Sequence, residues 1–559
     1  MVYQQGCAGL TLLMCAATAI ASDNIHFIIK YKEKPTAFAA LKTELANTVH
    51  LPVHALTPMA GEAYSLVYKT KHLNNKKDNL LQKVLAKLRQ NPNIAYAVED
   101  RVGHFKPLPF LKHQSSPSSL ANNLLSHDSQ WDEFSPPAGV MLESASGRRD
   151  GAWAYTTGHA SKPIVVAVLD TGIASNPSLV NNLVKDKDGK VWGWNFAGNN
   201  RNLSDETESY HGTHVAGTIA GYGEIMIGMG EDLKILPLKI PDASGMFYES
   251  QVINAIYWAV GGEVPGIPTN SYPAKVLNMS FGVDAHPGKE IDHCDEALQE
   301  AIFYARKKGA VIVVAAGNDN QWEHYNAPAV CNSTIKVAAT GPAGLRSYYS
   351  NYGPSVTLAA PGGDLRYGRK GGILSTVNPG GGYQHSGFDF YQGTSMASPH
   401  VAGVAGLVFA VSDGAIKPEK VEQILYATTH DFGQSNDENN SCKGRKPCGH
   451  GILDADNAIK ATQANYDVIL TVPKIKDLKL TLCGKNTYQP KEATLKIGKV
   501  EWHRVNATCS PKSTYAHPVI SQSKSGTIKV SYGAASYILD HTLLKHCDII
   551  GFDGFGCYL

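Results

Sequence analysis

The chain has 559 residues, of which 43% are hydrophobic and 18% charged, with 53 glycines and a formal net charge of +2. This length allows more than one domain and a large core. The composition excludes a disordered or highly charged protein, and the small net charge gives no indication of a nucleic-acid partner.

The N-terminus has the features of a secretory signal peptide. An apolar run, Leu10–Ala17, precedes the small-x-small sequence Ala19-Ile20-Ala21, so we predict that residues 1–21 are removed on export. The region before the run lacks the usual lysine or arginine, and Cys15 is an alternative lipid-attachment site that the bulky Met14 disfavours. Because no later run reaches the roughly 18 apolar residues of a membrane helix, we expect a secreted protein without a membrane span.

Residues 22–105 have the pattern of a small α+β unit. The apolar residues of Leu80–Leu88 fall on one face of a helix. Three segments have strand-like sequences, namely Ile25–Tyr31, Ala63–Tyr68 and Asn93–Asp100. Residues 106–130 are rich in proline and serine, which is typical of a linker.

Apolar runs alternate with helical stretches through residues 131–465. Ile164–Leu169 and Val311–Ala315 are continuous apolar runs, as buried parallel strands require. Proline or polar residues interrupt three weaker candidate strands, Ile235–Ile240, Val276–Ser280 and Ile335–Ala339. Small residues predict a helix over Pro399–Ala410, with the proline in its first turn. The alternation predicts an α/β domain with a doubly wound, mostly parallel sheet.

Residues 466–559 have a different sequence pattern, with short strand-like segments and several cysteines. We therefore predict a separate β-rich, disulfide-containing C-terminal domain. The predicted strands include Val468–Val472, Leu478–Leu482 and Thr527–Ser531. This domain either binds substrate or is a structural or processing appendage.

The cysteine count points to disulfides. Of the ten cysteines, two fall in the predicted signal peptide and eight remain, an even number in an exported chain. Proximity favours a Cys442–Cys448 pair, and it leaves three further pairs as candidates: Cys483–Cys509, Cys547–Cys557 and Cys294–Cys331. Metal binding is disfavoured because the chain has no C-x-x-C pair.

Three polar residues stand in sequences that suit nucleophilic acyl transfer. Asp170 ends an apolar strand and precedes Thr-Gly; His211 begins His-Gly-Thr-His-Val-Ala-Gly; Ser395 lies in Gly-Thr-Ser-Met-Ala-Ser-Pro-His. A serine hydroxyl needs a base to take its proton, and a histidine oriented by a carboxylate is such a base. The order Asp, His, Ser is that of subtilisin and differs from those of chymotrypsin and the α/β-hydrolases.

With these three motifs, the chain resembles the subtilisin-like serine endopeptidases over roughly residues 130–465. The resemblance implies that Asp170, His211 and Ser395 form a catalytic triad, and that His214 is structural. It also implies that Asn318, after Ala-Ala-Gly, donates to the oxyanion. Ser280, Phe281, Gly282, Ala316 and Gly317 match the segments that bind substrate, with a broad or apolar preference.

The same resemblance gives residues 22–105 the role of an inhibitory propeptide, although an unrelated N-terminal domain is the alternative. We therefore expect a zymogen that is cut in the linker 106–130. The expected partners are protein or peptide substrates and the chain's own propeptide, and we expect a monomer.

Other chemistries fit the residues less well. An aspartic protease needs two aspartates that share a proton, and the chain has no second Asp-Thr-Gly or Asp-Ser-Gly. An α/β-hydrolase esterase needs Gly-x-Ser-x-Gly, and the motif around Ser395 lacks the final glycine. A zinc site at His211 and His214 lacks the glutamate of H-E-x-x-H. A binding protein on an inactive scaffold would have lost one of the four residues, yet all four are present.

No cofactor is expected for the chemistry. Calcium is common in the family, and Asp186, Asp188 and Gly189 make an acidic loop, but EF-hand spacing is absent. Gly221–Ile225 also departs from the family's usual calcium loop. We therefore allow a structural calcium ion but assign no metal ligands.

Overall fold

The computed structural model describes residues 24–105 without 36 and 71–76, and residues 129–464 without 208, 285–292, 323–325, 381–385 and 438. Beyond these it describes six strands between residues 479 and 540. The predicted signal peptide, the linker up to residue 128 and the strand over Val468–Val472 lie outside the described residues. So do the candidate pairs Cys483–Cys509 and Cys547–Cys557.

The chain divides into two compact units. The first contains the residues up to 57 together with 64–99, and the second contains residues 58–63 together with all residues from 100 onward. The first is an α+β unit, as predicted, whose four-stranded sheet has the order β2-β3-β1-β4. Its elements are β1 (Asn24–Tyr31), α1 (Phe38–Val49), β2 (Val53–Pro58), β3 (Ala63–Lys69), α2 (Lys77–Gln90) and β4 (Ile94–Glu99). The predicted apolar face of α2 is buried in its core, whereas α1 and β2 were not predicted.

The second unit has an α/β architecture. Its strands up to residue 391 are β5 (Val102–His104), β6 (Val165–Asp170), β7 (Trp194–Asn195), β8 (Lys234–Lys239), β9 (Met246–Tyr248), β10 (Val276–Met279), β11 (Val283–Asp284), β12 (Val311–Ala315), β13 (Asn326–Ala327), β14 (Ile335–Thr340), β15 (Leu358–Pro361), β16 (Ile373–Val377) and β17 (Gly387–Tyr391). Its helices are α3 (His211–Ala220), α4 (Glu249–Ala259), α5 (Glu296–Lys307), α6 (Thr394–Val411), α7 (Pro418–Ala427) and α8 (Ala455–Gln463). All five strands predicted within residues 131–465 are confirmed to within a residue or two.

A seven-stranded parallel sheet, of order β15-β14-β12-β10-β6-β8-β7, forms the centre of this unit. Strands β6, β10, β12 and β14 are buried at every residue, so both faces of the sheet are covered. From β6 the chain adds strands first on one side and later on the other. The crevice at the carboxyl ends of β6 and β10 is therefore a topological switch point, where such sheets place their sites.

Helix α6 is the central helix of this core. It is long and apolar enough to cross a membrane by composition, but 89% of it is buried inside the fold, as in a core helix of a soluble domain. It begins at Thr394, so Pro399 lies in the second turn. The prediction that this proline stands in the first turn is therefore wrong. Since proline has no N–H, it leaves the carbonyl of Ser395, four residues earlier, without its helical donor.

Two predicted disulfides are confirmed, Cys442–Cys448 and Cys294–Cys331. The C-terminal strands form two antiparallel three-stranded sheets, which agrees with the β-rich prediction. They are β18 (Lys479–Leu482), β19 (Lys491–Thr494), β20 (Arg504–Asn506), β21 (Val519–Gln522), β22 (Thr527–Tyr532) and β23 (Ala535–Asp540).

Candidate active site

Asp170 and His211 form a buried hydrogen-bonded pair at the switch point. Asp170 is the last residue of β6 and His211 the first of α3, and Asp170 Oδ1 lies 2.7 Å from His211 Nδ1. The same carboxylate oxygen accepts from the Thr171 N–H at 2.8 Å, which fixes its position. A Cβ at Gly212 would lie 2.5 Å from the Gly172 carbonyl oxygen, so the close approach of α3 to β6 requires a glycine after the histidine.

The charges around His211 favour its protonated form. Burial disfavours the imidazolium, but the charge and hydrogen bond of Asp170 outweigh it, and Asp205 adds to them, so the pKa of His211 is raised above 6.5. Asp205 is itself buried and accepts hydrogen bonds from Thr207 Oγ1 and Thr213 Oγ1 at 2.7 and 3.1 Å. Burial first and Asp170 second raise the pKa of Asp205. No motif in the sequence marked this second carboxylate.

His214, three residues along the same helix, has a different environment. It is 0% exposed, its Nε2 lies 3.0 and 3.1 Å from the backbone oxygens of Ile373 and Asp389, and its ring stacks on Tyr391 at 4.1 Å. Burial lowers the pKa of His214 to about 3. The His214 ring is thus neutral and held against backbone carbonyl groups in the core, whereas the pKa of His211 is raised.

Ser395 lies at the N-terminus of α6 and exchanges hydrogen bonds with Ser280. Ser395 Oγ donates to the Ser280 carbonyl at 3.0 Å, and Ser280 Oγ donates to the Ser395 carbonyl at 3.0 Å. The second bond supplies the donor that Pro399 cannot. Asn278 Nδ2 and Ser398 Oγ also contact Ser280 Oγ, at 2.9 and 2.7 Å. The Ser280 hydroxyl is therefore occupied in holding the start of α6.

Ser395 Oγ donates to Ser280, and no hydrogen bond joins it to His211 among the residues that the structure describes. Catalytic hydrogen bonds are often formed only in the complex with substrate. The helix N-terminus beside Ser395 favours a negative charge there.

Asn318 is anchored from the same helix start. Its side-chain oxygen accepts from both the N–H and the Oγ1 of Thr394, at 2.8 and 2.9 Å, and Thr394 Oγ1 accepts in turn from the Gly317 N–H. This arrangement turns the amide nitrogen of Asn318 away from Thr394. Gly393 has φ 152°, and a Cβ there would lie 3.6 Å from both Asn318 Nδ2 and Ser395 N. The two donors thus border one small space, which the glycine leaves open.

Comparison with known proteins identifies the family. The model of the Subtilase family matches residues 161–451. An extracellular protease from Xanthomonas campestris is 31% identical over 502 residues, which cover 82% of this chain and 78% of the relative. The chain belongs to the subtilase family.

Further relatives agree. An extracellular basic protease from Dichelobacter nodosus is 29% identical, covering 80% of this chain and 72% of the relative. A solved protease structure from Pseudoalteromonas arctica is 34% identical with a TM-score of 0.51, covering 60% of this subtilase and 97% of that chain. This subtilase is a subtilisin-like serine protease, a hydrolase, and subtilases typically need no cofactor for catalysis.

The predicted substrate-binding residues lie at the carboxyl ends of two neighbouring strands of the central sheet. Phe281 and Gly282 follow Ser280 after β10, while Ala316 and Gly317 follow β12, the neighbouring strand. Asn351 fixes the second segment, since its Nδ2 donates to the Ala316 carbonyl at 3.0 Å.

A short strand crosses this region of the subtilase beside Phe281. Val102–His104 pairs antiparallel with Met246–Tyr248, and the next residue, Phe105, donates its N–H to the Gly245 carbonyl at 2.9 Å. The Phe105 ring lies 5.7 Å from the His211 ring and 5.2 Å from the Phe281 ring. This segment, the end of the range 22–105, therefore packs against His211.

The acidic loop considered for calcium does not fit that ion. Asp186 Oδ1 accepts from the N–H groups of Asp188 and Lys190, and Asp186 Oδ2 binds the Arg201 guanidinium at 3.0 Å. A loop whose carboxylate is occupied by its own backbone and by an arginine offers a poor site for a hard cation that needs six to eight oxygens.

Proposed function

We propose that this subtilase is a secreted endopeptidase that hydrolyses internal peptide bonds of proteins or peptides through an acyl-enzyme on Ser395. One observation carries the proposal: the 2.7 Å hydrogen bond from His211 Nδ1 to Asp170, where His211 lies on a helix that packs against the helix that bears Ser395. With Nδ1 carrying the proton that Asp170 accepts, His211 Nε2 has a free electron pair, as a general base requires.

In the proposed mechanism, Ser395 Oγ attacks the scissile carbonyl and gives its proton to His211 Nε2. Asp170 stays ionised and stabilises the imidazolium. The Asn318 amide and the Ser395 N–H donate to the oxyanion of the tetrahedral intermediate. His211 then protonates the leaving amine, and water attacks the acyl-enzyme by the same route in reverse.

Substrate is expected to bind as an extended strand between the segments Ser280–Gly282 and Ala316–Gly317. An extended conformation is supported by the antiparallel pairing of Val102–His104 with β9, whose Phe247 ring lies 5.1 Å from the Phe281 ring. The glycines and the apolar ring of Phe281 favour a broad or apolar preference.

Production as a zymogen is part of the same proposal. Phe105 lies against His211, so the chain up to this residue must leave before a substrate can reach the base. We assign residues 22–105 as the inhibitory propeptide, 131–465 as the catalytic domain and 466–559 as a C-terminal domain. The names of the two extracellular relatives support secretion through the signal peptide 1–21.

Maturation is expected in the linker 106–130. N-terminal sequencing of the active secreted protein would show a first residue within or just after this range. An active enzyme that begins at Asp23 would contradict the zymogen proposal without affecting the triad.

Labelling with a fluorophosphonate tests the nucleophile. The matured protein should label with one equivalent, and Ser395→Ala should abolish the label. Ser412→Ala is the matched control, since Ser412 directly follows the far end of α6 and, within the described part of the chain, its hydroxyl donates to the helix carbonyls of Val408 and Phe409. A matured, folded protein that does not label would instead be a binding protein on a protease scaffold.

A further inference from the structure

A second buried histidine–carboxylate cluster includes a residue of α6 that follows Ser395 by about one turn and a half. His400 and two consecutive acids from the segment before β6, Asp132 and Glu133, are 0%, 0% and 1% exposed. One imidazole nitrogen and one oxygen from each carboxylate lie within 4.8 Å of one another. The proposed mechanism uses none of these groups.

The hydrogen bonds of His400 determine where its proton is. Nδ1 lies 2.7 Å from the Met396 carbonyl, which can only accept, so Nδ1 carries a hydrogen. In the neutral ring, Nε2 then presents an electron pair to Asp132 Oδ2, 3.2 Å away. Such a contact between two electron pairs is repulsive unless a proton or a cation lies between them.

The carboxylates are also incompletely satisfied. Among the described residues, Asp132 Oδ1 and Glu133 Oε2 are buried and have no hydrogen-bond donor. Burial first, and then the neighbouring Asp132, raise the pKa of Glu133, and no basic side chain acts against them. Buried polar atoms without partners are uncommon and call for a ligand or an ion.

We propose that Asp132, Glu133 and His400 bind one divalent transition-metal cation, with zinc as the best match. Two carboxylates and a neutral imidazole carry two negative charges, which a single divalent cation neutralises. Imidazole nitrogen with carboxylate oxygen is a ligand set for zinc, whereas calcium takes six to eight oxygens and no nitrogen.

The Met396 carbonyl then orients the His400 ring, because it accepts a hydrogen bond from Nδ1. The cation would tie the segment that contains Asp132 to the first turns of α6. Its role is structural, and it is independent of the proposed peptidase chemistry.

Metal content of the full-length Ser395→Ala chain tests the site without any need for activity. The protein is produced without a histidine tag in medium with equal zinc, manganese and calcium, and its metals are measured by plasma mass spectrometry. We expect about one equivalent of zinc per chain. A content below about a tenth of an equivalent of any transition metal would mean that the cluster holds only protons, and it would overturn the proposal.

Two variants assign the ion to the cluster. Glu133→Gln and Asp132→Asn should each lose it, whereas Glu143→Gln should keep it, because the carboxylate of Glu143 is buried but already accepts from the Gly147 and Arg149 N–H groups. Retention of zinc in both cluster variants, or an equal loss in Glu143→Gln, would overturn the assignment.

Thermal unfolding gives an independent readout. A chelator should lower the Tm of the Ser395→Ala chain and zinc should restore it, since free zinc at a hundred times its Kd raises the ratio of folded to unfolded chains about 100-fold. Glu133→Gln should not respond to either. A Tm of the Ser395→Ala chain that ignores both chelator and zinc would contradict a bound structural ion.

Discussion

His211 and His214 are on the same helix, three residues apart and both buried, yet their surroundings give them opposite properties. His211 has Asp170 at 2.7 Å and Asp205 near it, and its pKa is raised. His214 has two backbone carbonyls and the face of Tyr391, and its pKa is lowered to about 3. Burial acts on both in the same direction, so the carboxylates make the difference.

Replacing each histidine in turn should separate the two roles most strongly. His211→Asn should lower kcat by about 10⁶-fold, a magnitude that comes from subtilisin itself, while the folded state persists. His214→Asn should leave kcat/KM of the folded protein within a few-fold but cost about 2 kcal/mol of unfolding free energy, because it loses the stack and the carbonyl bonds. Steady-state kinetics and denaturant unfolding measure the two effects, and equal kinetic losses would break the comparison.

Asp170→Asn removes the charge but keeps the shape of the orienting group. We expect a loss of about 10⁴-fold in kcat at neutral pH, because an amide can donate to His211 and hold the wrong tautomer. The matched variant Asp186→Asn changes a carboxylate in a loop outside the candidate site and should leave kcat unchanged. Full activity of Asp170→Asn would show that the carboxylate does not control the base.

Asn318→Ala tests a group that acts on the oxyanion and not on the base. It should lower kcat by about 10²–10³-fold, a range that again comes from subtilisin, with no change in the pH midpoint. Thr394→Val should give a smaller loss of kcat, since it removes one of the two hydrogen bonds that the Asn318 side-chain oxygen accepts. A shifted pH midpoint in Asn318→Ala would place the asparagine in the protonation equilibrium instead.

The smallest expected effect is a shift in the pH midpoint of kcat/KM. The base works only when His211 is neutral, so kcat/KM should rise with pH through a midpoint above 6.5, because the pKa is raised. Asp205 is one of the groups that raise it, and Asp205→Asn should move the midpoint to lower pH. An upward shift would mean that Asp205 acts through packing and not through its charge.

The sequence marked the residues that stand in local motifs, and it missed interactions that depend on tertiary contacts. Asp170, His211 and Ser395 were identifiable as candidates because each stands in its own motif, and β6 was evident from its apolar run. Asp205 has no such signal, since its effect on His211 depends on how the loop before α3 folds. Nor did the sequence mark a metal ligand, because 268 positions separate His400 from Asp132.

The start of α6 illustrates the same limit. The rule that proline belongs in the first turn of a helix predicted a start of α6 that is too late. The rule does not consider a hydrogen-bond donor from outside the helix. Ser280, assigned to substrate, supplies that donor to the Ser395 carbonyl. A serine after a strand end carries no pattern that distinguishes these two roles.

Titration of the two imidazole rings tests directly whether His211 and His214 have the opposite pKa shifts described above. Long-range ¹H–¹⁵N spectra of the full-length Ser395→Ala chain, with ¹⁵N-labelled histidine, follow each ring, and His211→Asn and His214→Asn assign the signals. We expect His211 to gain its proton with a midpoint above pH 6.5, while His214 stays neutral down to pH 5 and below. A His211 ring that stays neutral while His214 gains a proton would contradict it.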